Sequence, residues 1–130
     1  KKSTFQSHLA FIDEVDQVSK VMDQLLAVSK LRHATHNIMA YRILSKGGSG
    51  YIQDYDDDGE TAAGGRLMHL LQIVDAQNVI VVVSRWYGGV KLGPARFSHI
   101  NNSARKLLEK CGCITQTKDA TRKKVSKKQY

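Results

Sequence analysis

Apolar and polar positions alternate at the start of the chain. Phe5, Leu9 and Phe11 fall on one face of the run 3–12, with Gln6 and His8 on the other, which predicts a strand. The period then changes. Val15, Val18, Val21, Met22, Leu25 and Leu26 recur at helical spacing, so an amphipathic helix is expected over about 14–31, with Asp13 as its N-cap. Residues 37–44 read as a second strand, carrying Ile38, Ala40, Tyr41 and Ile43. Gly47, Gly48, Ser49 and Gly50 form a hairpin loop, and 51–55 is the returning strand. Leu67, Leu70, Leu71 and Val74 line one face of a helix over 61–74. The run 78–84 is the most apolar segment and is expected to be the central strand. A glycine-bearing loop is expected over 85–93. Pro94 suits the first turn of a last helix carrying Phe97, Ile100, Ala104, Leu107 and Leu108, and Gly112 suits its stop.

The element order is therefore β-α-β-β-α-β-α. The fold class expected is α/β in a two-layer α+β sandwich: a mixed four-stranded sheet on a split β-α-β plan, with helices packed on one face. No apolar run approaches the length of a membrane helix. At 130 residues the chain suits one domain with a real core.

Charge refines this picture at one end. The formal net charge is +8, and residues 115–130 hold six of the 20 basic side chains (Lys118, Arg122, Lys123, Lys124, Lys127, Lys128) against Asp119. We expect a domain over 1–114 and a basic C-terminal tail over 115–130. Such a tail can contact RNA phosphate or an acidic protein surface, or simply be solvated. Cys111 and Cys113 flank Gly112 and match no CxxC redox or zinc pattern. They read as free thiols in a reducing compartment, so a cytoplasmic location is expected.

Two segments stand out chemically, DDDGETAAGGR (56–66) and SRWYGGVKLGPARF (84–97). Each joins a predicted strand end to a helix start, and neighbouring strands would set them side by side. Gly64 and Gly65 fall in a first helical turn, where each costs about 1 kcal/mol relative to alanine. Close packing on the sheet, or a ligand approaching the backbone, would explain them. The acids Asp56, Asp57, Asp58 and Glu60 could cap the helix, hold a divalent cation, or pair with Arg85, Lys91 or Arg96 across the gap; the last is the preferred reading. No P-loop or dinucleotide fingerprint is present. Arg85, Trp86 and Tyr87 have the composition of an interface hot spot or of a base-stacking platform, and folding back onto the core is the plain alternative. Ser84 lacks a nucleophile-elbow setting. His33 and His36 lie at a helix-to-strand junction with nothing to complete a metal set. No catalytic residue, metal or cofactor is assigned.

On these two segments, together with KSTFQSHLA, ATHNIMAYR and INNSARKLL, the chain resembles the eukaryotic branch of the Impact family, whose bacterial relatives include YigZ. The resemblance covers most of residues 2–110. One departure is Ala95, where eukaryotic members are expected to be acidic. The resemblance implies a fold like a ribosomal-protein or elongation-factor G domain. It also implies a regulator of translation that opposes the starvation-sensing initiation-factor kinase by competing for its large ribosome-associated activator. Actin binding is a further implied property. The family's activator-binding RWD domain precedes the part resembled here. The expected function is thus a non-catalytic regulatory module with a protein or ribosome-associated partner. The alternatives are an RNA-binding module and a metal-dependent enzyme of unknown reaction. The expected binding surface comprises Asp57, Asp58, Glu60, Gly64, Gly65, Arg66, Ser84, Arg85, Trp86, Tyr87, Gly88, Gly89, Lys91 and Arg96.

Overall fold

Four strands and four helices follow one another in the computed structural model, which describes residues 2–114. They are β1 (Thr4–Phe11), α1 (Gln17–Leu26), α2 (Ser29–Arg32), β2 (His36–Leu44), β3 (Tyr51–Asp56), α3 (Ala63–Ile73), β4 (Val79–Trp86) and α4 (Ala95–Lys110). The expected basic tail, 115–130, lies outside the described residues.

The sheet order is β1-β4-β2-β3. Strands β1 and β2 both run antiparallel to β4, which slots between them, so the split β-α-β plan holds. The expectation of a mixed sheet needs correction, because every neighbouring pair is antiparallel. Strands that run the same way are never adjacent: β4 separates β1 from β2, and β2 separates β4 from β3.

β4 is central, as its composition predicted. Val79, Ile80, Val81, Val82 and Val83 are all essentially inaccessible, each contributing about 1.5–3 kcal/mol by burial. Its side chains alternate between two cores. Val79, Val81 and Val83 pack with Ile38, Ala40, Leu67, Leu71, Ile100 and Leu108 beneath α3 and α4. Ile80 and Val82 pack with Ile12, Tyr41 and Ile43 beneath Val18, Val21, Met22 and Leu25 of α1. Helices therefore cover both faces, not one. The face under α1 is the thinner cover, since no α1 residue is fully buried.

Several boundaries differ from expectation, each for a local reason. The first helical run breaks at Val28, whose backbone is extended (φ −80°, ψ 118°), and Arg32 Nη1 donates to the Leu26 carbonyl at 2.8 Å across the break. Restarting as α2 turns Leu31 into the interior. Asp13 is not the cap of α1. The backbone N–H groups of Asp13 and Glu14 instead donate to Gln17 Oε1 at 2.7 and 2.9 Å, so the helix's own first residue holds the entry turn. Strand β4 runs two residues beyond Ser84, because β1 and β2 both continue to pair with it: Trp86 faces Thr4, and Arg85 faces Phe5 and His36. Gly112, at φ +76°, follows α4 as expected.

Candidate functional site

The sheet order places the start of β2 between the ends of β3 and β4. The loops that follow β3 and β4 therefore meet above residue 36, although their strands are not neighbours. Glu60 is the meeting point. Its carboxylate is buried and receives Arg85 Nη1 from β4 on Oε2 and Arg96 Nε from α4 on Oε1, the latter at 2.9 Å. His36 Nε2 lies 3.9 Å from Oε2, and His36 Nδ1 is 2.8 Å from the Asp58 carbonyl oxygen. A buried carboxylate is tolerated only when its lone pairs are met by donors, and here both oxygens are engaged by guanidinium groups. The preferred sequence reading, that this acidic segment pairs with Arg85 or Arg96, thus rests structurally on one acid, Glu60.

The other acids organise the backbone. Asp57 Oδ1 accepts the Gly64 N–H at 2.6 Å and its Oδ2 accepts the Ala62 N–H at 3.2 Å, tying the loop to the first turn of α3. Asp58 Oδ2 accepts the Asn37 N–H at 2.7 Å, and Asp56 Oδ1 accepts the Asp58 N–H at 3.0 Å. Their carboxylates thus serve different backbone segments: Asp56 its own turn, Asp57 the start of α3 and Asp58 the start of β2. Among the described residues no three His, Cys, Asp or Glu side chains gather as a metal site.

Above Glu60 opens a cleft of about 320 Å³, lined by Thr35, His36, Glu60, Arg85, Tyr87, Lys91, Leu92, Gly93 and Arg96. Arg85 is buried, and its Nε has no partner among the described residues. Tyr87 is 51% exposed at the rim, with the Arg85 guanidinium carbon 5.9 Å from its ring centroid. The Tyr87 N–H donates to Thr35 Oγ1 at 2.8 Å. Three basic side chains, Arg85, Lys91 and Arg96, thus line the cleft together with one carboxylate.

An exposed Arg-Trp-Tyr platform does not exist. Consecutive residues of β4 alternate faces, so Arg85 and Trp86 point to opposite sides of the sheet. Trp86 lies half-buried against α2, donating Nε1–H to the Lys30 carbonyl at 3.2 Å, with Lys30 Nζ 5.1 Å from its ring. Only Tyr87 reaches the rim. Ser84 is also on the far face and wholly buried. It donates to Asn37 Oδ1 at 2.5 Å and lies 3.3 Å from His8 Nε2. Burial holds the His8 imidazole below its ordinary pKa.

Two glycines constrain the site by close approach, Gly64 in the first turn of α3 and Gly88 in the loop after β4. A Cβ on Gly64 would lie 2.7 Å from both Asp57 Oδ1 and the Tyr55 ring. One on Gly88 would lie 2.2 Å from the Lys2 carbonyl. Gly65 has room for a Cβ in ordinary contact with Tyr55. It lines a second groove, of about 460 Å³, with Tyr55, Asp57, Ala62, Arg66, His69 and Asn101, so Gly65 and Arg66 sit apart from the Glu60 cleft. Gly89 is an exposed turn at φ +87°. Thr35, not singled out from sequence, and His36, weighed there only as a metal ligand with His33, also line the cleft. The signal that could have found them is strand order, which the linear pattern does not carry.

Comparison with known proteins places these segments in context. Residues 1–108 match the Impact N-terminal domain. Protein IMPACT-B of Xenopus tropicalis is 52% identical over 122 residues, covering 94% of this chain and 38% of that protein. Protein IMPACT of Homo sapiens is 56% identical over 108 residues, covering 83% of this chain and 34% of that protein. The chain thus spans little more than a third of the length of these relatives. Among solved structures, the two-domain translational regulator Yih1 is similar at a TM-score of 0.60 and 46% identity, over 85% of this chain and 43% of that one. A hypothetical protein of known crystal structure is similar at a TM-score of 0.73 and 27% identity, over 84% and 53%.

Proposed function

Because the chain belongs to the Impact N-terminal domain family, we propose that it is a non-catalytic binding module of a translation regulator, with residues 1–114 as the binding unit and 115–130 as a basic extension. The partner is a protein or ribosome-associated component of the starvation-sensing initiation-factor kinase pathway. The observation that carries this reading is the rim of the cleft. Tyr87 and Val90 are 51% and 53% exposed beside Lys91, on loops held together by the buried Glu60. An exposed aromatic next to a cation on a braced base is the make-up of an interface anchor, because little side-chain or loop freedom is lost on docking. Likeness to Yih1, described as a translational regulator, supports the same reading.

The test compares the wild-type chain with a Tyr87→Ala/Lys91→Ala variant in extract from amino-acid-starved cells, with and without nuclease. The reading expects wild-type protein to recover ribosomal or translation-regulatory proteins that survive nuclease, and the equally folded variant to recover none. Recovery that ignores the two substitutions would move the surface elsewhere. Recovery abolished by nuclease would replace a protein partner with a nucleic acid.

A further inference from the structure

We propose that the cleft above Glu60 is a binding site for a nucleoside monophosphate, with the phosphate between Lys91 and Arg96 and the base on Tyr87. This goes beyond partner docking and needs no partner to be present.

The charge balance is the first reason. Arg85, Arg96 and Lys91 face Glu60 alone, a formal surplus of two positive charges in one cleft. A phosphate monoester carries about −1.5 to −2 at neutral pH and so matches it. Lys91 forms no ion pair among the described residues. Arg85 is buried with one N–H lacking an acceptor among them. A buried guanidinium only partly met by carboxylate favours an added anion nearby, where low local dielectric strengthens the attraction.

Hydrogen-bonding capacity is the second. Thr35 Oγ1 accepts the Tyr87 N–H, so its own hydroxyl proton is free to donate into the cleft. Arg96 spends Nε on Glu60 and Nη1 on the Gly93 carbonyl, which fixes the plane of its guanidinium before any ligand arrives. Such pre-orientation favours planar, bidentate recognition of phosphate.

Size and shape are the third. About 320 Å³ is far more than a lone phosphate fills and lies at the small end of small-molecule pockets, about 300–1,000 Å³. The half-exposed Tyr87 ring supplies a stacking face at the same rim.

Titration calorimetry on the purified chain, with adenosine 5′-monophosphate, adenosine and inorganic phosphate as probes, tests the proposal. Adenosine 5′-monophosphate is expected to bind more tightly than either fragment. Lys91→Ala and Tyr87→Ala, both at exposed positions, should each weaken it by about tenfold or more while leaving the melting temperature unchanged. Absent binding at millimolar nucleotide, or binding indifferent to both substitutions, overturns the proposal. So does inorganic phosphate binding as tightly as the nucleotide. A 5′-phosphorylated oligoribonucleotide that binds with steep salt dependence while the monophosphate does not would overturn it in favour of an RNA surface. None of these outcomes involves the partner assay, so the docking reading stands or falls separately.

Discussion

Arg85 at the end of the central strand and Glu60 in the loop before α3 form a buried ion pair, 25 positions apart in sequence, that fastens two loops to one point. Removing one member leaves the other charge buried and uncompensated. Glu60→Ala is therefore expected to destabilise the fold by about 3–5 kcal/mol. Replacing both, as Glu60→Gln with Arg85→Met, should cost much less than the sum of the single changes. Urea unfolding of wild type, Glu60→Gln, Arg85→Met and the double variant closes a double-mutant cycle that measures this, with Glu60→Ala measured beside it. A Glu60→Ala cost under about 1 kcal/mol would mean that the pair is not what joins the loops.

The start of α3 inverts the usual helix propensities. Ala62 sits at φ +73°, a left-handed conformation that costs a residue with a Cβ about 1–2 kcal/mol, so Ala62→Gly should stabilise the protein by about 0.5–1 kcal/mol. Gly64→Ala, which propensity alone would favour, should instead cost about 1–3 kcal/mol, because the new Cβ meets Asp57 and Tyr55 at 2.7 Å. Opposite signs in chemical denaturation are the expected result; matching signs would contradict the backbone described here.

Stability should fall as the solution is acidified just below neutrality. Burial lowers the His8 pKa from its ordinary 6.5 in the folded state. Above 6.5 the imidazole is neutral in both states and contributes no pH dependence. As pH drops through 6.5 the unfolded chain takes up the proton first, so unfolding is favoured until the lower folded-state pKa is reached. His8→Gln should flatten this part of the stability–pH curve relative to wild type. An unchanged slope would assign the effect to another group.

The two thiols should differ in reactivity. Cys111 is exposed, whereas Cys113 packs against the core, and burial followed by the neighbouring Cys111 raises its pKa. Since the thiolate is the nucleophile, iodoacetamide at neutral pH should alkylate Cys111 well before Cys113. Peptide mapping by mass spectrometry over time decides it, and equal rates would refute the difference.

Local pattern alone was enough for the elements except the break at Val28 that separates α2 from α1. Alternation in 3–12, helical spacing from Val15 onward and the apolar run ending near Val83 each report burial of a face, and burial is what periodicity encodes. The hairpin at 47–50 likewise follows from its glycines, and the antiparallel pairing of β2 with β3 from the hairpin. Glu60 and Arg96 could be suspected as partners because opposite charges in two loops invite pairing.

What tertiary structure decided is where those elements sit. No periodicity states that β4 inserts between β1 and β2, and that insertion alone carries His36 between the two loops and completes the cleft. It also extends β4 through Trp86, and the strand's two-residue period then sends Arg85 inward to Glu60 and Trp86 to the opposite face. A contiguous Arg-Trp-Tyr therefore reads as one surface in the sequence and divides among a buried cation, a half-buried indole and one exposed ring in the fold. The chemistry of each residue is local, but which residues share a site depends on contacts between strands far apart in the chain.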